Sequence, residues 1–413
     1  MTDDAAAIVY DEIQKTDILT GAKYMSFAEG VEEGLIRFVG DDCKRALYDA
    51  IESRQVRPGL CKTAGLKLVY SPLNGSGLVP VTQILKDIGI TDVTIVPEQE
   101  YPNGYFTTCS YPNPEIFAAL EQGLKLAKET GADLMLATDP DADRLGVYVK
   151  DTKSGEYITL TGNMSGCLLA DYEISQIKET KGLPDDGKLI KTIVTSNLAD
   201  EIAKYYGVEL IEVLTGFKYI GQQILNFETT GKGTYLFGFE ESYGCLIGTH
   251  ARDKDAIVAT MALCEAAAYY KTKNMTLWDA MLAMYERYGY YKDDVTSITL
   301  KGIEGLAKIQ EIMNTLRENA PAEIGGYKVT AVRDYKLDTI TDTAAGAVRP
   351  TGLPKSNVLY YEMTDGAWVC VRPSGTEPKV KFYLGVKGTS LADADAKSEA
   401  LSKAVHALID TMM

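Results

Sequence analysis

Residues 132–149 read ADLMLATDPDADRLGVYV, and the rest of the fold is inferred outward from this stretch. Two short apolar runs, 134–137 and 145–149, are typical of buried strands because turn residues bound them. Three aspartates at alternate positions lie between the runs: Asp139, Asp141 and Asp143. The stretch therefore predicts a tight acidic loop where one strand ends and the next begins.

The acidic loop predicts a metal site. Three like charges within five residues repel one another unless a cation lies among them, and a hard divalent ion with oxygen ligands, Mg²⁺ or Ca²⁺, is the natural partner. An EF-hand fits poorly because its loop needs Gly at position six and Glu at position twelve, where this chain has Arg144 and Lys150. A solvated acidic turn is the other alternative. Arg144 is placed to bind an anion beside the metal.

Composition excludes several classes of protein. With 413 residues, 46% of them hydrophobic and 24% charged, we expect two to four globular domains. The net charge of −16 argues against a nucleic-acid partner, which would need a basic surface. No signal peptide and no apolar run near 18 residues is present, so we expect no membrane span. Seven scattered cysteines without C-x-x-C indicate reduced, mostly buried thiols in a cytoplasmic protein.

From residue 65 onward the pattern predicts an α/β fold. Predicted strands and helices alternate over 65–187, and the same rhythm restarts over 188–295, which indicates βαβ units with parallel sheets and suggests a structural repeat. The block 296–413 predicts a smaller α+β domain. Residues 1–63 are predicted to be helical, with no strand for the helices to cover, and so are interpreted as the remnant of a larger domain whose helices expose apolar faces.

Two further loops carry polar groups suited to a sugar. Residues 238–244, GFEESYG, offer two carboxylates, a hydroxyl and an aromatic ring between glycines, although a helix N-cap with an acidic first turn is the simpler interpretation of that loop alone. Residues 214–219, LTGFKY, give a weaker signal, since the glycine permits a turn and the lysine is an ordinary surface charge. Just beyond GFEESYG, a small basic set follows: His250, Arg252 and Lys254. An ordinary solvated turn is the alternative interpretation of this set.

A fourth loop, residues 372–379 (RPSGTEPK), predicts a phosphate-binding turn. Successive Ser, Gly and Thr offer backbone N–H groups and hydroxyls in a tight turn, and Arg372 can fork onto oxyanions. A plain hairpin loop is the alternative. There is no Walker A sequence and no G-x-G-x-x-G after a strand, so a nucleotide site is not expected.

Together these loops resemble those of the α-D-phosphohexomutase family, the phosphoglucomutases and phosphomannomutases. ATDPDADR resembles the family's metal loop, TGFKYIG its domain-three loop, GFEESYG its sugar-recognition loop and RPSGTEPKVKFY its phosphate-binding loop. Order and spacing match from about residue 65 to the end, including FTTCSYPNPE upstream of the metal loop. The EESYG form, with Lys254 twelve residues beyond Ser242, resembles the phosphoglucomutase branch more closely.

The resemblance implies a hexose-phosphate mutase that uses Mg²⁺ and a hexose 1,6-bisphosphate intermediate. It implies that the three aspartates hold the metal, that Arg144 helps to position the reacting phosphoryl group and that Lys254 acts as an acid/base or phosphate contact. It also implies a set of substrate-binding residues: Thr215, Gly216, Lys218, Glu240, Ser242, Arg372, Ser374, Gly375 and Thr376. Glucose 1-phosphate, glucose 6-phosphate or their mannose equivalents would be the substrates.

One departure from the family pattern decides the expected activity. The family's nucleophile is a phosphorylated serine in a T-A-S-H-N-P-type loop, and no such stretch occurs in the sequence. We therefore expect an N-terminally truncated homologue that is inactive alone. The alternatives are a non-catalytic fragment that binds sugar phosphate and Mg²⁺, and a phosphatase with Asp139 as nucleophile. The phosphatase fits less well because Asp143 stands where its D-x-D-x-[TV] loop needs Thr or Val.

Overall fold

The computed structural model describes residues 3–300, 302–374 and 378–413. Its N-terminal part contains four helices and, within residues 3–66, no strand: α1 (Asp3–Lys15), α2 (Phe27–Glu32), α3 (Asp41–Glu52) and α4 (Cys61–Ala64). Many large apolar side chains of these helices face solvent, among them Ile8 at 67% exposure and Phe27 at 62%. The predicted helical start with exposed apolar faces is confirmed for the described residues.

The first sheet carries the acidic loop. Its elements are β1 (Lys67–Ser71), α5 (Leu78–Asp87), β2 (Asp92–Ile95), α6 (Phe117–Thr130), β3 (Leu134–Thr138), β4 (Leu145–Lys150) and β5 (Tyr157–Leu160). The strand order is β2-β1-β3-β4-β5, with β1, β2 and β3 parallel and β4 and β5 antiparallel to their neighbours. The parallel sheet was predicted. The antiparallel edge follows from the short loop between β3 and β4, which is too short for a parallel crossover.

The second sheet repeats this arrangement. Its elements are α7 (Gly162–Thr180), β6 (Gly187–Thr192), α8 (Leu198–Tyr206), β7 (Glu209–Val213), α9 (Phe217–Thr230), β8 (Thr234–Phe239), β9 (Cys245–Leu246), α10 (Ala256–Thr272) and α11 (Leu277–Tyr288). The order β7-β6-β8-β9 matches β2-β1-β3-β4 in both sequence and direction. Helix α7, which was not predicted, packs against this second sheet and is buried on most sides. A helix buried all round lacks the 3.6-residue apolar period that would reveal it.

The last part of the chain is an antiparallel sheet with helices, as predicted. Its elements are β10 (Tyr290–Thr299), α12 (Gly302–Glu318), β11 (Glu323–Ile324), β12 (Tyr327–Asp334), β13 (Thr339–Asp342), β14 (Val348–Arg349), β15 (Leu359–Met363), β16 (Trp368–Pro373), β17 (Lys379–Gly388) and α13 (Leu391–Asp410). The strand order is β10-β17-β16-β15-β12-β13-β14, and β11 pairs with β12. The short strands β13 and β14 carried no predictive pattern.

Burial explains how the units hold together. One apolar cluster runs through the first and second sheets and their shared helices, and a separate cluster fills the last sheet. A smaller cluster joins the last sheet to the second. All seven cysteines are free and five are buried, as predicted. No helix in the described part of the chain has the length and apolar character needed to cross a membrane.

Candidate functional site

The acidic loop between β3 and β4 is shaped by its own first carboxylate. Asp139 Oδ1 accepts the backbone N–H groups of Asp143 at 3.0 Å and Arg144 at 2.9 Å. Ala142 turns the chain with a left-handed φ of +59°, which is uncommon for a residue with a side chain. These bonds hold the loop tight, so that its carboxylates converge rather than point outward.

The three aspartates fit a hard divalent cation. Asp139, Asp141 and Asp143 each place a carboxylate oxygen within 4.8 Å of the others. Asp143 Oδ1 is buried and has no hydrogen-bond partner in the described residues. Burial, together with the charges of Asp143 and Asp141, raises the pKa of Asp139 to about 7. A cation would supply the missing partner and relieve the repulsion, so the predicted residues form a candidate metal site.

Lys254 reaches this loop from its position directly before Asp255, the N-cap of α10. Its Nζ lies 2.9 Å from Asp143 Oδ2, and its side chain is only 14% exposed. Burial lowers the pKa of Lys254, but the bond to Asp143 and the charge of Glu240 outweigh it and raise the pKa. The stem of the lysine packs on Gly244, where an added Cβ would lie 2.1 Å from Lys254 Cδ. Only glycine leaves room for this charged side chain.

The GFEESYG loop, which has polar groups suited to a sugar and is called the sugar-like loop below, connects β8 to β9. Ser242 Oγ donates to Glu240 Oε1 at 2.9 Å, and the loop closes through a bond from Glu240 N to Gly244 O at 2.9 Å. Burial raises the pKa of the Glu240 carboxyl, and Lys254 partly offsets this effect. Tyr243 has a left-handed φ of +70°. The result is a carboxylate and a hydroxyl presented together from a strained turn.

The two loops are joined through their backbones. Leu145 N donates to Tyr243 O at 3.1 Å, and Arg144 and Gly244 form an antiparallel bridge. Ala256 N, at the start of α10, donates to Ala142 O at 3.0 Å. The structure thus brings the metal triad, the sugar-like loop, Arg144 and Lys254 into one hydrogen-bonded assembly.

The TGFKY loop borders the same assembly through its aromatic residue. The ring of Phe217 lies 6.0 Å from Lys254 Nζ, and the buried Thr215 Oγ1 has no hydrogen-bond partner in the described residues. Gly216 takes a φ of +120° directly before α9. Lys218 is exposed, with its Nζ 4.9 Å from the ring of Tyr219. Of the predicted loop residues, Thr215 and Gly216 directly precede Phe217, and Lys218 follows it as an exposed side chain.

The predicted phosphate loop is only partly described. Arg372 lies at the end of β16, and Ser374 N donates to Lys379 O at 2.7 Å, while Gly375 and Thr376 lie outside the described residues. A cavity of about 200 Å³ lies between the sugar-like loop and the last sheet. Its walls include Glu241, Ser242 and Tyr243 on one side and Trp368, Lys381 and Tyr383 on the other.

The small basic set does not act as a unit. His250 Nε2 is 2.8 Å from Asp255 Oδ2, and Arg252 pairs with Glu228. Of the three residues, only Lys254 joins the metal loop. The surface-turn alternative therefore describes Arg252, while His250 is buried beside the N-cap of α10.

Two carboxylates at the site had no individual role in the prediction: Glu115 was not singled out, and Glu241 was counted only as one of the two carboxylates of GFEESYG. Glu115 Oε1 accepts from Arg144 Nη1 at 3.2 Å, and it lies in FTTCSYPNPE, a stretch that resembled the family but suggested no role. Glu241 accepts from Thr192 Oγ1 at 3.2 Å. Burial, with the neighbouring charge of Glu240, raises the pKa of Glu241 to about 7. Neither contact has a local sequence signal, since the partners lie far apart in the chain.

Comparison with known proteins assigns three successive domains. Residues 47–155 match phosphoglucomutase/phosphomannomutase alpha/beta/alpha domain II, residues 161–288 match domain III, and residues 316–401 match the C-terminal domain. A phosphoglucomutase of Staphylococcus aureus strain MRSA252 is 36% identical over 87% of this chain. The match spans 63% of that relative's length. A phosphoglucomutase of Staphylococcus epidermidis is 35% identical over 86% of the chain and 63% of its own length.

Solved structures share the fold at low sequence identity. Parafusin (phosphoglucomutase) of Paramecium, in its open form, aligns with a TM-score of 0.59 at 17% identity, over 90% of this chain and 61% of that one. N-acetylphosphoglucosamine mutase of Aspergillus fumigatus, solved with GlcNAc-6P and magnesium, aligns with a TM-score of 0.51 at 14% identity, over 88% and 70%. These likenesses support the architecture of consecutive α/β units followed by a smaller domain.

Proposed function

Because the chain belongs to the phosphoglucomutase/phosphomannomutase family, we propose that it acts in phosphoryl transfer between the 1- and 6-positions of a hexose phosphate. A hexose 1,6-bisphosphate is the proposed intermediate. The observation that carries the proposal is the continuous contact from the metal triad through Lys254 to the sugar-like loop. Phosphoryl transfer relies on such positioning and on electrostatic stabilisation of the group in transfer.

The metal would be held by Asp139, Asp141 and Asp143, and Mg²⁺ is the proposed ion because it prefers carboxylate oxygens near phosphate. Bound there, the ion would withdraw charge from the phosphoryl group during transfer. Lys254 already neutralises one oxygen of Asp143, so the lysine and the metal share the charge of this loop. The N-acetylphosphoglucosamine mutase relative contains magnesium in its complex, which supports a divalent ion in this family.

Substrate orientation is assigned to the other loops. Glu240 and Ser242, already hydrogen-bonded to each other, would bind hydroxyls of the sugar ring. Arg372 and Ser374, with Gly375 and Thr376, would bind the non-reacting phosphate through a fork and a tight turn. Thr215, Gly216 and Lys218 would border the sugar from the second sheet.

Catalysis additionally needs a phosphoryl donor. The resemblance implies a phosphorylated serine, and the 413 residues contain no T-A-S-H-N-P stretch. For a polypeptide of these residues alone, we therefore propose binding of Mg²⁺ and hexose phosphate without mutase turnover. A covalent intermediate divides a difficult transfer into two easier ones, and neither half begins without the donor.

Calorimetry and a coupled assay on the 413-residue protein test this proposal. We expect glucose 6-phosphate to bind more tightly than glucose, and expect no interconversion of glucose 1-phosphate and glucose 6-phosphate when glucose 1,6-bisphosphate is added. Equal affinity for glucose and glucose 6-phosphate would refute the sugar-phosphate site. Turnover at an ordinary enzyme rate, on the order of 10 per second, would refute the binding-only proposal while supporting the family reaction.

A further inference from the structure

Arg144 is close to the metal carboxylates but is not oriented by them. Its Nε lies 3.6 Å from Asp139 Oδ2 and 3.7 Å from Asp143 Oδ1. These distances exceed those of an N–H···O hydrogen bond, and Nε is buried without a hydrogen-bond partner in the described residues. A cation bound to the same carboxylates would weaken their attraction for the guanidinium further. Another group must therefore fix the direction of this side chain.

Glu115 is that group in the described residues. Its Oε1 accepts from Arg144 Nη1 at 3.2 Å, and both side chains are about one-third exposed. No hydrogen bond from Nη2 to a described residue competes with it. A planar guanidinium held by one terminal nitrogen presents its other terminal nitrogen in a defined direction, which suits recognition of an oxyanion.

The loop that carries Glu115 is anchored on the metal hairpin itself. Buried Pro114 packs against β4 at Gly146, where an added Cβ would lie 2.6 Å from Pro114 Cβ. Asn113 Oδ1 accepts from Glu115 N at 2.9 Å, and Asn113 O accepts from Ile116 N at 3.0 Å. The acceptor carboxylate therefore starts from a fixed backbone rather than from a free surface loop.

We propose that Glu115 is a positioning residue: it holds Arg144 so that Nη2 faces the phosphoryl group that is transferred at the metal loop. The proposal rests on the proposed function for the identity of the ligand. Glu115 is itself an anion, so its direct effect on a nearby phosphate is repulsive. Positioning and simple electrostatics thus predict opposite results when the carboxylate is removed.

Binding of glucose 1,6-bisphosphate at saturating Mg²⁺ provides the first test. In the proposed function, the bisphosphate has one phosphate at Arg372 and the other near Arg144. We expect Glu115→Ala to weaken its binding about three- to tenfold, and Glu115→Gln, which retains an amide acceptor, to recover part of the loss. Glucose 6-phosphate, with its single phosphate in the Arg372 loop, should be affected less. Binding of the bisphosphate by Glu115→Ala that equals or exceeds the wild type would overturn the proposal.

A double-mutant cycle separates action through Arg144 from a general structural effect. In an Arg144→Ala background, Glu115→Ala should cause no further loss of bisphosphate affinity. An equal loss in both backgrounds would overturn the proposal. Glu121→Ala, which removes an exposed carboxylate from nearby α6, serves as the matched control and should leave affinity unchanged.

The Arg144 Nε–Hε signal in nuclear magnetic resonance spectra gives a readout that needs no sugar ligand. We expect a sharp, resolved signal in the wild-type protein and a broadened one in Glu115→Ala, with the thermal midpoint unchanged. If the wild type fails to bind any hexose phosphate but this signal behaves as expected, the proposed function fails and the positioning contact stands. An identical signal in both proteins would refute the positioning role alone.

Discussion

The metal loop, residues 139–144, and the sugar-like loop, residues 240–244, occupy equivalent places in two sheets of the same strand order. The metal loop connects β3, which is parallel to β1, to the antiparallel strand β4. The sugar-like loop connects β8, which is parallel to β6, to the antiparallel strand β9. Each contains one left-handed residue that is not glycine, Ala142 or Tyr243. Such conformations persist where the surrounding structure enforces them, and they cluster at functional sites.

The loops differ in how their charges are balanced. The metal loop concentrates three carboxylates and leaves a buried oxygen of Asp143 without a hydrogen-bond partner in the described residues. The sugar-like loop satisfies Glu240 internally with Ser242, and the charge of Lys254, which pairs with Asp143 of the metal loop, also favours the Glu240 carboxylate. This difference favours the proposed roles, a cation at the first loop and sugar hydroxyl groups at the second. The shared strand order thus places the two loops at equivalent positions, and their different side chains give them different charge.

The largest effect is expected when one carboxylate of the metal loop loses its negative charge. Asp139→Asn retains the Oδ1 acceptor for the backbone N–H groups of the loop but loses one anionic ligand. Mutating a residue that only hydrogen-bonds to a metal ligand lowers metal affinity about 10–100-fold. For a ligand itself we expect the upper end of this range, a loss of about 100-fold in Mg²⁺ affinity measured by calorimetry. Ser242→Ala, in the other loop, should leave Mg²⁺ affinity unchanged. A loss in Asp139→Asn of less than about threefold would mean that the triad is not the metal site.

Phosphate recognition should be independent of both loops, because Arg372 lies in the last sheet. Arg372→Ala should weaken glucose 6-phosphate binding by about 1.5–3 kcal/mol, the range for a hydrogen bond to a charged group. Mg²⁺ affinity should not change. Arg349→Ala removes an exposed arginine from β14 and is the matched control. If both variants bind the sugar phosphate equally well, the assignment to Arg372 is wrong.

A substitution that crowds the sugar-like loop should affect sugar binding but not metal binding. A Cβ at Gly162 would lie 2.1 Å from Glu241 O and 2.5 Å from Tyr243 N, so Gly162→Ala must displace the loop. We expect about 1–3 kcal/mol lower stability and weaker hexose-phosphate binding, with Mg²⁺ binding retained. Gly104→Ala, where an added Cβ meets nothing within 4 Å, provides the control. Unchanged hexose-phosphate binding in folded Gly162→Ala protein would contradict the role of the loop.

The smallest expected effect concerns pH. The pKa of Glu241 rises from 4.5 to about 7 on folding, chiefly through burial. The folded state thus holds a proton that the unfolded state releases, so the contribution of this group to stability is full below pH 4.5 and is lost as pH rises through 7. Glu241→Gln should flatten the pH dependence of the unfolding free energy in this window by less than about 1.4 kcal/mol per pH unit.

Denaturant unfolding at a series of pH values, with saturating Mg²⁺, measures this difference. A metal bound at the triad would keep Asp139 ionised, so that the raised pKa of that carboxyl, about 7, would no longer contribute to the slope. An identical pH slope for wild type and Glu241→Gln would show that Glu241 titrates normally.

The sequence predicted much of the fold because its signals are local. The apolar runs on either side of Asp139 specify two strands, and their short connection specifies a turn. The GFEESYG loop was also found, because its glycines and polar groups are consecutive in the chain and it begins where strand β8 ends. Helix α7 was missed because burial on most of its sides removes the periodic signal on which the prediction depends.

The family, the alternation of strands and helices and the acidic loop could all be predicted from the amino-acid order, because each depends on residues that are neighbours in the chain. Which distant groups meet depends on the folded chain. Folding brought Lys254 to Asp143 and Glu115 to Arg144, and it packed Gly162 against the backbone at Glu241. These contacts join residues separated by 29 to 111 positions, and no local pattern encodes them, since they arise only when distant parts of the chain fold together. The contact between Asp143 and Lys254 also needs the two sheets to pack against each other.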